Sequence, residues 1–255
     1  MTIISIANQK GGCAKTTSVV NLAACLAELN YKVLVIDMDP QGNSSQWLGV
    51  STRIGGVINI FTQQDKIDSL IQTSSMNGVY VISASQDLAQ IEKILAGELA
   101  IETLLKRRLK KQLDSNFDFI LIDTPPTLGL LTLNALVASS KLIVPVTTHV
   151  MTLSGVAQLM ATVTNVQDLI NPSLTILGFI ASRVDMRTKH ALEVLNALKE
   201  RFHEQVFNTI IRENIRLAEA PSFSQSILQY DKNSASASDY RALTKEILAR
   251  LSVQP

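Results

Sequence analysis

Cysteine is scarce in this chain, with two residues in 255, Cys13 and Cys25. Two thiols on either side of one predicted helix start supply no disulfide framework, and they read as reduced thiols of a cytosolic protein. Long apolar runs are missing as well. Nothing approaches the ~18–20 residues of a membrane span, and no signal-peptide pattern precedes the first predicted strand. Net charge is almost absent, +1 from 23 basic and 22 acidic side chains. That total argues neither for nor against a nucleic-acid partner, because a local patch can bind while the sum stays neutral. There is no internal repeat and no low-complexity linker. What the chain does have is 46% hydrophobic residues, enough for a full core. The expectation is one soluble, intracellular domain spanning 1–255.

Apolar strand-like runs alternate with helical ones. Strands are expected at Ile3–Ala7, Lys32–Asp37, Val79–Ser83, Phe117–Asp123, Lys141–Val146, Thr175–Ser182 and Val206–Ile211. Helices are expected from about Ser18 to Ala27, from Asp87 to Asp114, near 153–170 and 188–202, and over 238–251, with short surface helices within 43–75. Near-continuous apolar strands separated by amphipathic helices predict an α/β fold: a doubly wound, mostly parallel sheet with helices on both faces.

Ligands of such sheets sit outside the carboxyl ends of the strands, and three motifs fall there. The first strand runs into Ala7-Asn8-Gln9-Lys10-Gly11-Gly12-Cys13-Ala14-Lys15-Thr16-Thr17, a glycine turn whose Lys-Thr opens a helix. That is the setting of a phosphate-binding loop: turn and helix N–H groups face an anion, Lys15 adds a point charge, and Thr16 offers a hydroxyl to a magnesium ion. The set expected at the phosphates is Gly11, Gly12, Cys13, Ala14, Lys15, Thr16 and Thr17. The ordinary pattern G-x-x-x-x-G-K-[ST] is not met, since Gln9 and Ala14 occupy its glycine positions. The match is to a variant with an upstream lysine, Lys10. The second motif, Asp37-Met38-Asp39-Pro40-Gln41-Gly42-Asn43, follows the second strand. The third, Asp123-Thr124-Pro125-Pro126, follows the fourth, where a strand-terminal carboxylate holds Mg²⁺ directly or through water.

These blocks, continued by Thr127-Leu128-Gly129-Leu130-Leu131-Thr132-Leu133-Asn134-Ala135-Leu136 and by Arg216-Leu217-Ala218-Glu219-Ala220-Pro221-Ser222, resemble the ParA/Soj-type partitioning ATPases of the deviant P-loop class over nearly the whole chain. The resemblance is to the short subgroup without an N-terminal helix-turn-helix. It implies ATP and Mg²⁺ as ligands, Lys15 on the β- and γ-phosphates, and Thr16, Asp37 and Asp123 at the metal. It also implies Asp39 as the residue orienting the attacking water, and Lys10 reaching the partner subunit's nucleotide across a homodimer, like an arginine finger in trans. Arg187 and Arg216 match positions that grip double-stranded DNA without reading sequence. A ParB-like protein would trigger slow hydrolysis, in a bacterial cytoplasm with the ATP form on the nucleoid. The alternative is a MinD-like positioning ATPase acting on a membrane or protein scaffold. The final helix matches the packing helix of ParA/Soj proteins and leaves no further amphipathic segment, so no membrane partner is expected. Neither cysteine is placed to ligate a cluster as in the nitrogenase iron protein, so a redox role fails.

Several positions depart from the family pattern. A methyl at Ala14 is expected to be tolerated only at negative φ. Cys13 is expected to fill space rather than react. Arg212-Glu213 replaces a common Pro-Arg beside the base and the DNA face. His149 is expected to be structural. The basic run Lys106-Arg107-Arg108-Leu109-Lys110-Lys111 is expected to spread over several faces of its helix as a solvated surface, with a supplementary DNA contact as the alternative.

Overall fold

The computed structural model describes residues 1–52, 56–62, 66–113, 116–148 and 152–252. The order is β1 (Thr2–Ile6), α1 (Lys15–Glu28), β2 (Val33–Asp37), α2 (Asn43–Trp47), α3 (Val57–Thr62), β3 (Gln72–Thr73), β4 (Val79–Ile82), α4 (Ile91–Ile94), α5 (Leu104–Gln112), β5 (Phe119–Asp123), α6 (Leu130–Ala138), β6 (Lys141–Thr147), α7 (Thr152–Leu169), β7 (Thr175–Val184), α8 (Lys189–Phe202), β8 (Ile211–Arg212), α9 (Ile215–Glu219), α10 (Ile227–Tyr230) and α11 (Ala235–Ser252). The strands form one sheet in the order β3-β4-β2-β5-β1-β6-β7-β8, parallel throughout except for the short edge strand β3. It is the doubly wound α/β architecture that the alternation predicts.

β2 and β5 are buried at all five positions, because helices cover both faces. The period of two sorts their side chains. Val33 and Val35 join the core under α1 and α11, while Leu34 and Ile36 join the opposite core under α5 and α6. Tyr240, Leu243 and Ile247 of α11 are fully buried against the first of these cores, each worth roughly 1.5–3 kcal/mol of burial. β1, β2 and β5 therefore end side by side, with Ile6 and Asp37 each in register with Asp123. Three strand ends at one sheet edge fix the place of the site.

Two expectations fail. The helix expected over 87–114 is broken: 3-10 turns at Gln86–Gln90 and Ile101–Thr103 flank α4, and Gly97 and Ala100 have φ of +90° and +52°. A left-handed glycine terminates a helix, because it satisfies the end carbonyls while leaving the helical path. The strand expected over Val206–Ile211 shrinks to Ile211–Arg212, with a lone bridge between Val206 and Phe179. The reason lies in α11: the Glu246 carboxylate accepts the N–H groups of Asn208 (2.8 Å) and Thr209 (3.0 Å), which pulls them off the sheet. His149, together with Val150 and Met151, lies outside the described residues. Among the described residues no helix is long and apolar enough to cross a membrane.

Candidate nucleotide site

The loop between β1 and α1 is held from below. Asn8, buried, donates from Nδ2 to the Pro145 carbonyl (2.7 Å), and its Oδ1 accepts the Lys10 N–H (3.1 Å). The Lys10 carbonyl in turn accepts the Cys13 thiol (2.9 Å) and the Lys15 ammonium (3.1 Å). The two lysines of the motif are thus joined through one peptide oxygen. Burial pushes the Cys13 pKa up despite the nearby Lys15. This favours the neutral thiol, a space-filling group rather than a nucleophile.

At the helix start Ala14 takes φ +68° and ψ +29°, with no side-chain cap. The expectation of a negative φ is therefore overturned: the turn needs a left-handed residue to bring the α1 N–H groups round, and alanine takes that place with its methyl. Gly12 is left-handed too (φ +72°), with open space around a Cβ built on it.

Beneath the loop lie two fully buried carboxylates at matched strand ends, Asp37 and Asp123. Asp123 Oδ2 accepts the hydroxyls of Thr16 (2.7 Å) and Ser44 (2.5 Å). Asp37 Oδ2 accepts Ser45 N–H (2.8 Å) and Ser45 Oγ–H (2.6 Å), and its Oδ1 accepts Asp39 N–H (3.2 Å). Burial raises both carboxyl pKa values, and the Asp123 charge raises that of Asp37 further. Asp123 Oδ1, also buried, has no hydrogen-bond partner among the described residues. An acceptor without a donor, in a pair of crowded anions beside a threonine hydroxyl, is what a hard divalent cation satisfies, so the residues fit magnesium. Asp39 is nearly buried and its Oδ1 accepts Gln41 N–H at 3.0 Å.

A cavity of about 670 Å³ opens over this floor. Residues 11–17, Asp39, Gln41, Arg183, residues 211–214, Leu217, Pro221 and Tyr240 are among those that line it. The structure therefore brings Gly11, Gly12, Cys13, Ala14, Lys15, Thr16, Thr17 and Asp39 into one cavity wall, with Asp37 and Asp123 packed below. Lys10 stays on the loop, outside the lining. Arg187 and Arg216 also lie apart, exposed on the surface. Arg187 is paired with Asp185 (2.9 Å) and Arg216 with Glu219 (3.3 Å).

Sequence reasoning missed Ser44 and Ser45, the hydroxyls that order the carboxylates. A signal existed: Gly42, at φ +66°, caps a short helix whose first turn must face the end of β2. It also missed Arg183, which sits on a β7 bulge at φ +54° and reaches Glu213 at 3.1 Å across the cavity wall. Arg212, in the cavity lining, clasps Asp239 of α11 through Nε (3.0 Å) and a terminal nitrogen (2.6 Å).

Residues 1–176 match a family described as an AAA domain. Along 97% of the chain the sequence is 40% identical to the sporulation initiation inhibitor protein Soj of Bacillus subtilis, covering 98% of that protein. It is 41% identical to the chromosome-partitioning ATPase Soj of Thermus thermophilus, covering 97% of this chain and 96% of that one. The fold superposes on cobyrinic acid a,c-diamide synthase from Mycobacterium smegmatis with bound ATP analog and magnesium (TM-score 0.89, 32% identity, 99% and 96% of the two chains). It likewise superposes on the septum site-determining protein MinD of Pyrococcus horikoshii, complexed with Mg-ADP (TM-score 0.80, 25% identity, 100% and 99%).

Proposed function

Because the chain belongs to the Soj/ParA family of chromosome-partitioning ATPases, we propose that it is an ATP-dependent molecular switch in DNA segregation. In this reading residues 1–255 act as one ATPase domain in the bacterial cytoplasm. The observation that carries it is the cavity that joins the Lys10–Thr17 loop to a buried carboxylate pair with one unsatisfied oxygen. Loop N–H groups, the α1 N-terminus and Lys15 bind the ATP phosphates. Thr16 and Asp123 would hold magnesium, with Asp37 beside them, and the bound ion would supply neutralisation of phosphate charge. Asp39, fixed by Gln41, orients the attacking water. Lys10, outside the cavity of its own subunit, supplies positive charge to the nucleotide of a second copy in an ATP-bound homodimer.

That dimer binds double-stranded DNA without sequence preference through Arg187 and Arg216, and a ParB-like partner stimulates hydrolysis and release. ATP drives the cycle only by binding the dimer better than the monomer. The test is size-exclusion chromatography of Asp39→Ala with ATP, ADP or no nucleotide, followed by DNA binding at two salt concentrations. An ATP-dependent dimer that binds any duplex equally well supports the switch. A nucleotide-indifferent monomer refutes it. Sedimentation with liposomes in place of DNA would instead support a MinD-like positioning role, the reading favoured by the MinD likeness.

A further inference from the structure

Six arginines of this chain are each tied to an acidic side chain: Arg183, Arg187, Arg212, Arg216, Arg241 and Arg250. Helix α5 is the opposite. Its sequence LLKRRLKKQ contains no acid, and Arg107, Arg108, Lys110 and Lys111 form no ion pair among the described residues. As expected, the run is a solvated surface, with Lys106, Arg107, Lys110 and Lys111 exposed and Arg108 half-buried. Leu104, Leu105 and Leu109 are buried against the core, so Lys106, Arg107, Lys110 and Lys111 share the exposed side in two adjacent i,i+4 rows. Like charges at that spacing repel, and only the last-turn lysines gain from the helix dipole.

The stripe is also rigidly mounted. Asn134 of α6 accepts the Leu105 N–H at 3.0 Å and donates to the Ile101 carbonyl at 3.0 Å, which fixes the helix start. Lys106 is anchored to Asn171 Oδ1 at 3.2 Å, beyond the end of α7. A fixed row of uncompensated cations suits a polyanion with closely spaced charges. A duplex offers one phosphate charge per ~1.7 Å of axis, and the nine-residue helix is ~13.5 Å long. No apolar residue of α5 is exposed beside the stripe, which a helix lying in a bilayer surface would need.

We infer that α5 is a second DNA-backbone contact, separate from Arg187 and Arg216, with Arg107, Lys110 and Lys111 as its phosphate ligands. The inference rests on the DNA reading proposed above. The test compares the parent protein, the triple variant Arg107→Gln/Lys110→Gln/Lys111→Gln and the double variant Arg187→Ala/Arg216→Ala. Binding to a random-sequence duplex is measured with ATP between 50 and 200 mM salt. A slope of about −0.9 per neutralised phosphate makes each contact worth about a 3.5-fold loss across that range, and three contacts about 40-fold. The triple variant should bind more weakly at 50 mM, and its affinity should fall about 40-fold less on going to 200 mM. Its basal ATP turnover and circular dichroism should match the parent. If the triple variant keeps the parental slope while the double variant loses binding, the α5 contact is overturned and the DNA reading stands. If the parent binds no duplex with ATP, both are overturned. Loss of phosphatidylserine-vesicle binding by the triple variant, with its DNA binding intact, also overturns the assignment.

Discussion

Replacing Ala14 by glycine should make the nucleotide-free protein more stable, although it adds a glycine at a helix start. Ala14 holds φ +68°, ψ +29° at the N-cap of α1, a conformation that costs a non-glycine residue ~1–2 kcal/mol. Glycine removes that cost, but its greater freedom in the unfolded chain takes back ~0.4–1 kcal/mol. The balance favours glycine by roughly 0.5–1 kcal/mol. In a chain this long, each kcal/mol moves the melting temperature by about 2–4 °C, so a rise of about 2 °C is expected. Differential scanning calorimetry without nucleotide reads it directly. The companion variant Ala14→Val puts a β-branched side chain in the same left-handed position and should lose several degrees. A lowered or unchanged melting temperature for Ala14→Gly would refute the reasoning, because it would mean that no left-handed strain resides at this residue.

Other outcomes can be stated more briefly. Lys15→Gln should abolish ATP binding in a fluorescent-nucleotide titration, and near-parental affinity would remove Lys15 from the phosphates. Lys10→Ala should keep ATP affinity, since the substitution leaves in place the carbonyl that accepts Cys13 and Lys15, yet turn over ~10³-fold more slowly or worse if the lysine acts in trans. Because the Asp37 and Asp123 pKa values are raised on folding, the folded metal-free protein binds extra protons; the contribution of this pair to stability is fully present below pH 3.8 and is lost as pH rises through about 6 and about 7. Asp37→Asn should flatten that fall in a melting series, and a slope equal to the parent's would contradict the buried pair. Arg212→Ala leaves the largely buried Asp239 carboxylate without its clasp and should cost about 1–3 kcal/mol in urea unfolding.

How far the sequence carried the fold depended on how many faces of an element were buried. β2 and β5 were legible because burial on both faces writes them as unbroken apolar runs ending in aspartate, and β1 because its isoleucines run straight into the glycine loop. The segment 87–114 was not, since its periodic leucines fit one long helix and the interruption turns on Gly97 and on Ala100, whose left-handed turn carries no compositional mark. The span 206–211 read as a strand because it is apolar. Its fate was decided instead by Glu246, some 38 residues away. The site divides in the same way. Its loop and three aspartates lie in local motifs, whereas Ser44, Ser45 and the Arg183–Glu213 pair belong to it only through strand register and a bulge.

Trp47 is the sole tryptophan of the chain, nearly buried, with its indole N–H donating to the Gln225 carbonyl at 2.7 Å. It also lines the nucleotide cavity. The protein therefore carries one indole fluorophore, already seated where a ligand would change its surroundings. Emission excited at the red edge of the indole band reports from this wall alone, without tyrosine background, and the spectrum of the whole protein becomes a local signal. Stopped-flow kinetics on the unlabelled wild type could then time the filling and emptying of the cavity.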